Sequence, residues 1–321
     1  MRLRIMVSLF LVSAAPAMAL SNRVFVKSSG MDVGTCPLSA PCRSFSYAMT
    51  QVAPSGEVIA LDTAGYGTFT ISQPVSVFAP NGVTAFIAVT AGTGISITAG
   101  SSDAVILRGL ALSGNGGTIG IEFHSGFSLS VENCIINGFD ADGIDMIRNL
   151  DTTNPRLRIE NSTIRYNGVG VHTLNLGMSP PQGGPPPGIA RLTISNSSIS
   201  ENGDGLTAED NTRAAVSDTV ISGNVTGVLS VSANDMSFAD VNLERCTITQ
   251  NTFIGVQAGG SGGGASRGIV RIAHNLITGN TTGVSEQAGG IIASMNTGSG
   301  GTNTIEGNGT NGTLTGSYTA K

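Results

Sequence analysis

The chain has 321 residues; 45 are glycine, 12% are charged, 5% are aromatic, and tryptophan is absent. This composition excludes an ordinary globular protein with an aromatic-rich core, and leaves a disordered chain or a solenoid of short strands and tight turns. Regularly spaced Ile, Val and Leu favour the solenoid. The net charge of −5 is mild and the sequence has no basic stripe, so nucleic acid is not an expected partner.

The N-terminus has the pattern of an export signal. Two arginines precede an apolar run over residues 5–15, and a small-x-small cleavage pattern ends at Ala19. The apolar run is too short to span a membrane, and no later segment is long enough either. We therefore predict a signal peptide over residues 1–19, no membrane span, and a mature chain from Leu20 that is periplasmic or extracellular.

An internal repeat dominates the rest of the chain. Segments of the form Leu-x-Ile-x-Asn, each followed three residues later by isoleucine, recur at intervals of 22 to 35 residues. They begin at Leu129, Leu157, Leu192, Ala214, Val241 and Val270, with a degenerate copy at Val105. A polar turn, then Gly and an aliphatic residue, follows each segment. One such unit cannot bury its apolar positions alone, so the units must stack.

Stacking at about 4.8 Å per coil pairs each strand in parallel with its neighbours. The repeat thus predicts an all-β, single-stranded right-handed parallel β-helix, a three-sheet solenoid of about 8–9 coils. We assign it to residues 58–289, with a low-complexity final coil and tail over 290–321. Residues 20–57 are predicted to form an N-terminal cap, in which Phe45, Ala48 and neighbouring apolar residues at helical spacing give a short capping helix.

Two features of the coil follow from the alignment. Asn133, Asn161 and Asn196 fall at one corner of successive coils, which predicts a ladder of stacked amides there. The residues that replace asparagine at that corner in later coils, and should weaken the ladder, are Asp218, Arg245 and His274.

The four cysteines separate into two kinds. Cys36 and Cys42 enclose a short prolyl loop that a disulfide can close in an exported protein, and no nearby His or second Cys pair favours a metal site. Cys134 and Cys246 share one repeat position four coils apart, roughly 19 Å at the inter-strand spacing. That distance is too long for a disulfide, so we predict two unpaired, largely buried thiols.

On these residues the chain resembles the pectin lyase-like superfamily of right-handed parallel β-helices. It is most similar to exported bacterial β-helix-repeat proteins of unassigned activity. The resemblance covers the mature chain and rests on the coil repeat and on the opening Cys-Pro-Leu-Ser-Ala-Pro-Cys-Arg-Ser-Phe (36–45), followed by Gly-Glu-Val-Ile-Ala-Leu-Asp (56–62). It implies a substrate groove on the first sheet, the one built from the Gly-aliphatic segments. The superfamily's polygalacturonase and alginate epimerase motifs are missing from this sequence.

The first sheet is also where the sequence concentrates acid–base side chains. Counting two residues beyond each aligned Gly places Glu122, Asp145 and His172 in one column of successive coils, with His124 on the same face. We predict these four as catalytic residues, because adjacent carboxylates separate their pKa values and a histidine exchanges protons near neutral pH.

Two further residues flank the column: Asp142 and Arg148 are predicted to bind substrate. The carboxylates of Glu122 and Asp145 are alternatively a calcium site, since Ca²⁺ prefers oxygen ligands, and Ca²⁺ is the one cofactor that the sequence suggests. A structural alternative stands beside both, because outward strand positions are polar by default. Glu201, Asp204, Glu209 and Asp210 on the next coil are interpreted as a solvated acidic rim.

Two functions from different classes fit these residues. The first is an exported, carbohydrate-associated protein that binds polysaccharide or serves as a surface or structural rod. The alternative is a polysaccharide lyase, hydrolase or epimerase that uses the acid–histidine column. The scarcity of aromatic platforms for sugar rings, with four tyrosines and no tryptophan, favours the first.

Overall fold

The computed structural model describes residues 20–149, 154–176, 188–234, 237–260, 267–295 and 302–318. The predicted signal peptide, 1–19, lies outside these residues. The described chain forms three sheets, called here sheets A, B and C, which it visits in turn on each coil. Neighbouring strands in all three sheets are parallel, so the predicted three-sheet parallel β-helix is confirmed.

Sheet A has twelve strands and carries the Leu-x-Ile-x-Asn segments. In spatial order its strands are Ser21–Val26, Val52–Ala60, Val75–Phe78, Ala104–Arg108, Ser128–Glu132, Arg156–Glu160, Ala190–Ser195, Thr212–Ser217, Phe238–Glu244, Arg267–Ala273, Ile291–Met295 and Gly316–Tyr318.

Sheet B has ten short strands. They are Ala64–Gly65, Ala85–Val89, Leu110–Gly114, Ile135–Asn137, Thr163–Arg165, Ser198–Ser200, Val220–Ser222, Thr247–Thr249, Leu276–Thr278 and Thr304–Ile305.

Sheet C has nine strands and carries the Gly-aliphatic segments. They are Phe69–Ile71, Thr93–Thr98, Ile119–Ser125, Asp142–Asn149, Val169–Leu176, Asp204–Ala208, Thr226–Ser232, Ile254–Gly260 and Thr282–Glu286.

The strand register agrees with the repeat alignment. Leu129 pairs with Val105 on one side and with Leu157 on the other, and Leu157 pairs with Leu192. The pairing continues through Ala214, Val241 and Val270. Because side chains alternate between the two faces of a strand, these aligned apolar positions of sheet A point inward and contribute to one continuous core along the solenoid.

The asparagine ladder lies at a different corner from the predicted one. At the predicted corner, between sheets A and B, Asn133, Asn161 and Asn196 are exposed. They are residues with a left-handed backbone conformation (φ 50° to 52°), as are Asp218, Arg245 and His274. Asparagine is favoured there because it tolerates this conformation better than most residues. The position therefore selects a backbone conformation, and the predicted amide ladder was wrong.

The ladder is built instead at the corner between sheets B and C. Asn202 donates from its backbone N and its Nδ2 to Asn224 Oδ1, at 2.9 and 3.0 Å, and Asn224 repeats both bonds to Asn251. The amides that form this series, buried except for the half-buried last one, are Asn167, Asn202, Asn224, Asn251, Asn280 and Asn308. Each bond links one coil to the next, so the ladder fixes the corner along the solenoid.

The N-terminal region holds the only helix of the described residues, Phe45–Met49. Ser44 caps it by accepting a hydrogen bond from the Tyr47 amide, and the Phe45 ring packs at about 5 Å from those of Tyr66 and Phe69. The helix is a single short turn of five residues, and the predicted capping helix is not supported.

The cysteines differ in environment as the sequence indicated. A disulfide joins Cys36 to Cys42, with Cα atoms 5.0 Å apart. Cys134 and Cys246 are free and buried, which confirms the prediction of two unpaired thiols. Burial raises the pKa of each thiol to about 11, so both are inert at neutral pH.

Candidate functional site

The predicted column on sheet C is present in the strand register. Glu122 pairs with Asp145, Asp145 with His172, and His172 with Thr207. The column continues through Leu229, Gln257 and Ser285. The Gly-aliphatic spacing therefore placed residues from successive coils side by side, as the alignment predicted.

Within this column the structure brings together Asp142, Asp145 and His172, called here the acid–histidine cluster. One ligand-type atom from each lies within 4.8 Å of the others. His172 Nδ1 is 3.7 Å from Asp142 Oδ1, and His172 Nε2 is 3.6 Å from Oε1 of Glu209. The imidazole is thus placed between carboxylates on both of its nitrogen sides.

Asp142 joins the cluster through the coil corner. It lies three positions before Asp145, and in a regular strand that spacing puts two side chains on opposite faces. Asp142 is the first residue of its strand and precedes Gly143, where an added Cβ would lie 2.8 Å from the Gly170 carbonyl oxygen. Close backbone packing at this corner requires glycine, and Asp142, at the start of the strand, lies on the same side as Asp145.

The cluster is unusually buried for charged groups. Asp145 is 6% exposed and Asp142 is 9% exposed. Burial, followed by repulsion from Asp142, raises the pKa of the Asp145 carboxyl to about 7. Burial likewise raises the pKa of Asp142. At neutral pH the cluster therefore holds a proton that exposed carboxyls would have lost.

Burial acts in the opposite direction on the pKa of His172. Burial alone would lower its pKa, but the carboxylates of Glu209, Asp142 and Asp145 outweigh that effect and raise it. An imidazole beside a carboxyl whose pKa is raised to about 7 forms a pair able to donate and accept protons.

Three buried polar atoms of this column make no hydrogen bond in the described structure. They are Asp145 Oδ1, His172 Nε2 and the Thr207 hydroxyl oxygen, and they lie in three successive coils. For His172 Nε2, the Glu209 Oε1 atom at 3.6 Å lies just beyond hydrogen-bond distance. Thr207 is only 4% exposed. Buried polar atoms are almost always bonded, and each unbonded one costs about 1–3 kcal/mol. This row of three unbonded atoms makes the column the candidate functional site.

The other predicted site residues lie outside the cluster. Glu122 is half-buried, and its Oε2 accepts a hydrogen bond from Ser96. His124 is exposed two residues further along the same strand. Arg148 pairs with Asn175 through the backbone, and its side chain lies outside the described part of the structure.

Two residues of the predicted acidic rim have other roles. Glu209 faces His172, although it follows the end of its strand, beyond the positions that strand pairing aligns. The only sequence signal for it is its spacing of two from Thr207, which is the spacing of one strand face. Asp210 is 2% exposed and accepts hydrogen bonds from Ser232, Ser237 and the Ala233 amide, so it is a structural anchor and not a solvated acid.

The cluster's donor set differs from the calcium site suggested by the sequence. The three grouped side chains are Asp142, Asp145 and His172, without Glu122. Ca²⁺ takes six to eight oxygen ligands. Two carboxylates and an imidazole instead match the oxygen and nitrogen ligands of a zinc-class ion. The residues present therefore fit a zinc-class ion better than calcium.

Comparisons with known proteins support the fold. No protein-family model matches the sequence, and no curated protein matches it. Among solved structures, the pectate lyase Pel9A is similar, with a TM-score of 0.62 and 14% identity over 85% of this chain and 79% of that one. A mutant of the PL6 family alginate lyase AlyGC has a TM-score of 0.53 and 12% identity, over 93% of this chain and 41% of that one. At such identities the likeness establishes a shared parallel β-helix fold.

No helix among the described residues is long and apolar enough to cross a lipid bilayer.

Proposed function

We propose that this protein is an exported, polysaccharide-associated β-helix protein whose acid–histidine cluster on sheet C acts on the bound polymer. The observation that carries the proposal is the row of unbonded buried atoms at Asp145, His172 and Thr207. The fold supports the class of ligand, since the similar structures are a pectate lyase and an alginate lyase.

The chemistry that this arrangement supports best is proton transfer at a sugar ring. In a lyase step, a basic group removes a proton from a ring carbon. An acidic group then protonates the glycosidic oxygen as its C–O bond breaks, and a C=C bond remains in the product. His172 and Asp145 supply one basic and one acidic group next to each other, which is the requirement of such a step. In an epimerase step a proton is delivered to the same carbon from the opposite face of the ring, and the glycosidic bond stays intact.

A second candidate function is polysaccharide binding without turnover. Its support is the burial of both aspartates, which leaves less than a tenth of each accessible. In that case the cluster fixes a sugar hydroxyl or a cation, and the protein is a polar surface or structural rod. The substitutions below separate the two functions because only the enzyme loses turnover.

Export is the proposed location. The disulfide between Cys36 and Cys42 is of a kind that persists in oxidising compartments. Cleavage after Ala19 would release the mature chain, which we divide into a cap (20–57), a β-helix (58–289) and a tail (290–321). Mass spectrometry of the secreted protein tests the cleavage position directly.

The test is a screen of the mature protein against pectins, alginates and bacterial exopolysaccharides, with added Ca²⁺, with added Zn²⁺ or with EDTA. Reducing ends and unsaturated products are both followed. We expect turnover that falls about 100-fold or more in Asp145→Asn, the range for loss of a general acid or base. Asp140→Asn is the matched control, since Asp140 is an exposed acid on the same coil; it should keep full activity.

The remaining outcomes have separate meanings. Binding without turnover in the wild type would favour the second candidate function. Turnover unaffected by Asp145→Asn would reject the cluster as the reactive centre. Loss of turnover in EDTA with recovery in Zn²⁺ but not in Ca²⁺ would show that the cluster acts through a bound ion.

A further inference from the structure

A column of three arginines lies on the outer face of sheet A, which is a different face of the solenoid from the acid–histidine cluster. Arg156 pairs in register with Arg191, and Arg191 pairs with Arg213. All three side chains are exposed, because the neighbouring positions Leu157 and Leu192 fill the core. Strands in adjacent coils are about 4.8 Å apart, so three positive charges follow one another at that spacing. The linear sequence hides this column, since more than 20 residues separate its members.

Such a column is unfavourable on its own. Like charges directly opposite each other on adjacent strands destabilise a sheet. Other arginines of the described chain are paired with acids at 2.5 to 2.8 Å, namely Arg23, Arg108, Arg158 and Arg245. Within the described residues, no ion pair is formed by Arg156, Arg191 or Arg213. Although the whole chain has a net charge of −5, these three arginines form a patch of positive charge that no ion pair within the described residues neutralises.

Two phenylalanine rings contact the arginines at the two ends of the column. The guanidinium carbon of Arg156 lies 5.0 Å from the ring centre of Phe127, and that of Arg213 lies 5.1 Å from the ring centre of Phe238. Stacking on a ring orients the planar guanidinium while leaving its N–H groups free to bind an anion. The column is bounded by Asp240, which follows Arg213 in register and is itself paired with Arg271.

We propose that Arg156, Arg191 and Arg213 form a binding site on sheet A for a carboxylated polysaccharide. Guanidinium groups bind carboxylates through two parallel hydrogen bonds. A polymer of uronic acids carries one carboxylate on every sugar, so several of its charges can follow a straight row of arginines. The class of polymer rests on the proposed function, whereas the site itself rests only on the arginine column. Nucleic acid is the less favoured polyanion, because the acidic chain repels its dense phosphate charge.

The experiment measures the affinity of the mature protein for polygalacturonate and alginate at low salt. Neutral dextran and a thymidine oligonucleotide are the comparison ligands. The test variant replaces the three column arginines: Arg156→Gln, Arg191→Gln and Arg213→Gln. The control variant removes the same charge from three exposed, paired arginines: Arg23→Gln, Arg158→Gln and Arg245→Gln.

We expect the test variant to bind polygalacturonate about tenfold or more weakly than the wild type, from three contacts of about 0.5–1 kcal/mol each. The control variant should lose less than about threefold, since its arginines are already neutralised. Binding of the wild type should weaken as salt is raised. The test variant should melt at the same or a higher temperature than the wild type at low salt, because its like-charge repulsion is gone. That melting result excludes misfolding as the cause of weaker binding.

Several results would overturn the proposal. Equal weakening in both variants would mean that net charge, and not the column, attracts the polymer. No binding to either carboxylated polymer, or tighter arginine-dependent binding of the oligonucleotide, would also reject it. The proposed function fails separately: if Asp145→Asn leaves turnover unchanged while the test variant still loses binding, the arginine site stands and the sheet C centre does not.

Discussion

Two buried polar regions run through the same coils, and they differ in whether their buried polar atoms are hydrogen-bonded. In the asparagine ladder, Asn202 and Asn224 use both their oxygen and their nitrogen in coil-to-coil hydrogen bonds. In the acid–histidine column, Asp145, His172 and Thr207 each keep a buried polar atom without a hydrogen bond. The ladder stabilises the fold, whereas the column reduces stability. We infer that the column is kept for a ligand and the ladder for structure.

The largest expected effect is the loss of a ladder amide. Asn224→Ala removes the acceptor of two bonds from Asn202 and the donor to Ile199 O, all of them buried. Leaving these groups unsatisfied should lower the free energy of unfolding by about 3–5 kcal/mol. The midpoint of urea unfolding, followed by circular dichroism, measures the change. An effect below about 1 kcal/mol would mean that water replaces the amide and that the ladder is dispensable.

A smaller effect is expected at the other corner, where the backbone conformation matters and the side chain is exposed. Asn196 has φ 50°. Asn196→Ala should cost about 1 kcal/mol, because alanine resists the left-handed region, while Asn196→Gly should be neutral or slightly stabilising. The midpoints of urea unfolding of the two variants measure this difference in stability. If glycine were as damaging as alanine, the asparagine side chain would hold the corner after all.

The smallest expected effect is that of removing a buried threonine hydroxyl, compared between one hydroxyl that has no hydrogen bond and one that has. Thr207 has an unbonded hydroxyl, while the Thr219 hydroxyl donates to Ser217 O at 2.7 Å. Thr207→Val should therefore be neutral or stabilising by up to about 1 kcal/mol, and Thr219→Val should destabilise by about 1 kcal/mol. Opposite signs in thermal melting would support the comparison. A clear loss of stability in Thr207→Val would show that its hydroxyl has a partner in solution.

The sequence predicted the fold further than the site. Each inward Leu or Ile of the repeat fixes the register of a whole strand, and period-2 alternation then places every other residue, including Asp145 and His172. Alternation ends at the corners, and there the predictions failed. The repeat shows asparagine at two corners, and only the backbone geometry reveals that Asn161 faces solvent while Asn167 is buried.

The same limit explains what was missed in the site. Asp142 was predicted only as a flanking residue, because it is the first residue of its strand, at the corner, where regular alternation does not hold. Glu209 lies past the last paired residue of its strand, where no register applies. The arginine column was hidden for a different reason, since it requires the outward positions of three distant strands to be stacked in register.

The most direct test of the central comparison is the unfolding of Asp145→Asn at pH 5 and pH 8, without ligand. The folded-state pKa of Asp145, about 7, is above the ordinary value of 3.8. A carboxyl with a raised pKa favours the folded state at low pH, and that contribution is lost as the pH rises from about 4 to about 7. Glu122, Asp142 and His172 face this carboxyl and remain in the variant.

We expect Asp145→Asn to melt at a higher temperature than the wild type at pH 8, by roughly 2–4 °C for each kcal/mol of repulsion removed. The gap should shrink towards pH 5, where the wild-type carboxyl is mostly protonated. The variant should at the same time lose its ligand-dependent function. A variant that melts below the wild type at pH 8, by as much as the Asn224→Ala protein does, would contradict the account. Asp145 would then be a structural residue, like the amides of the ladder.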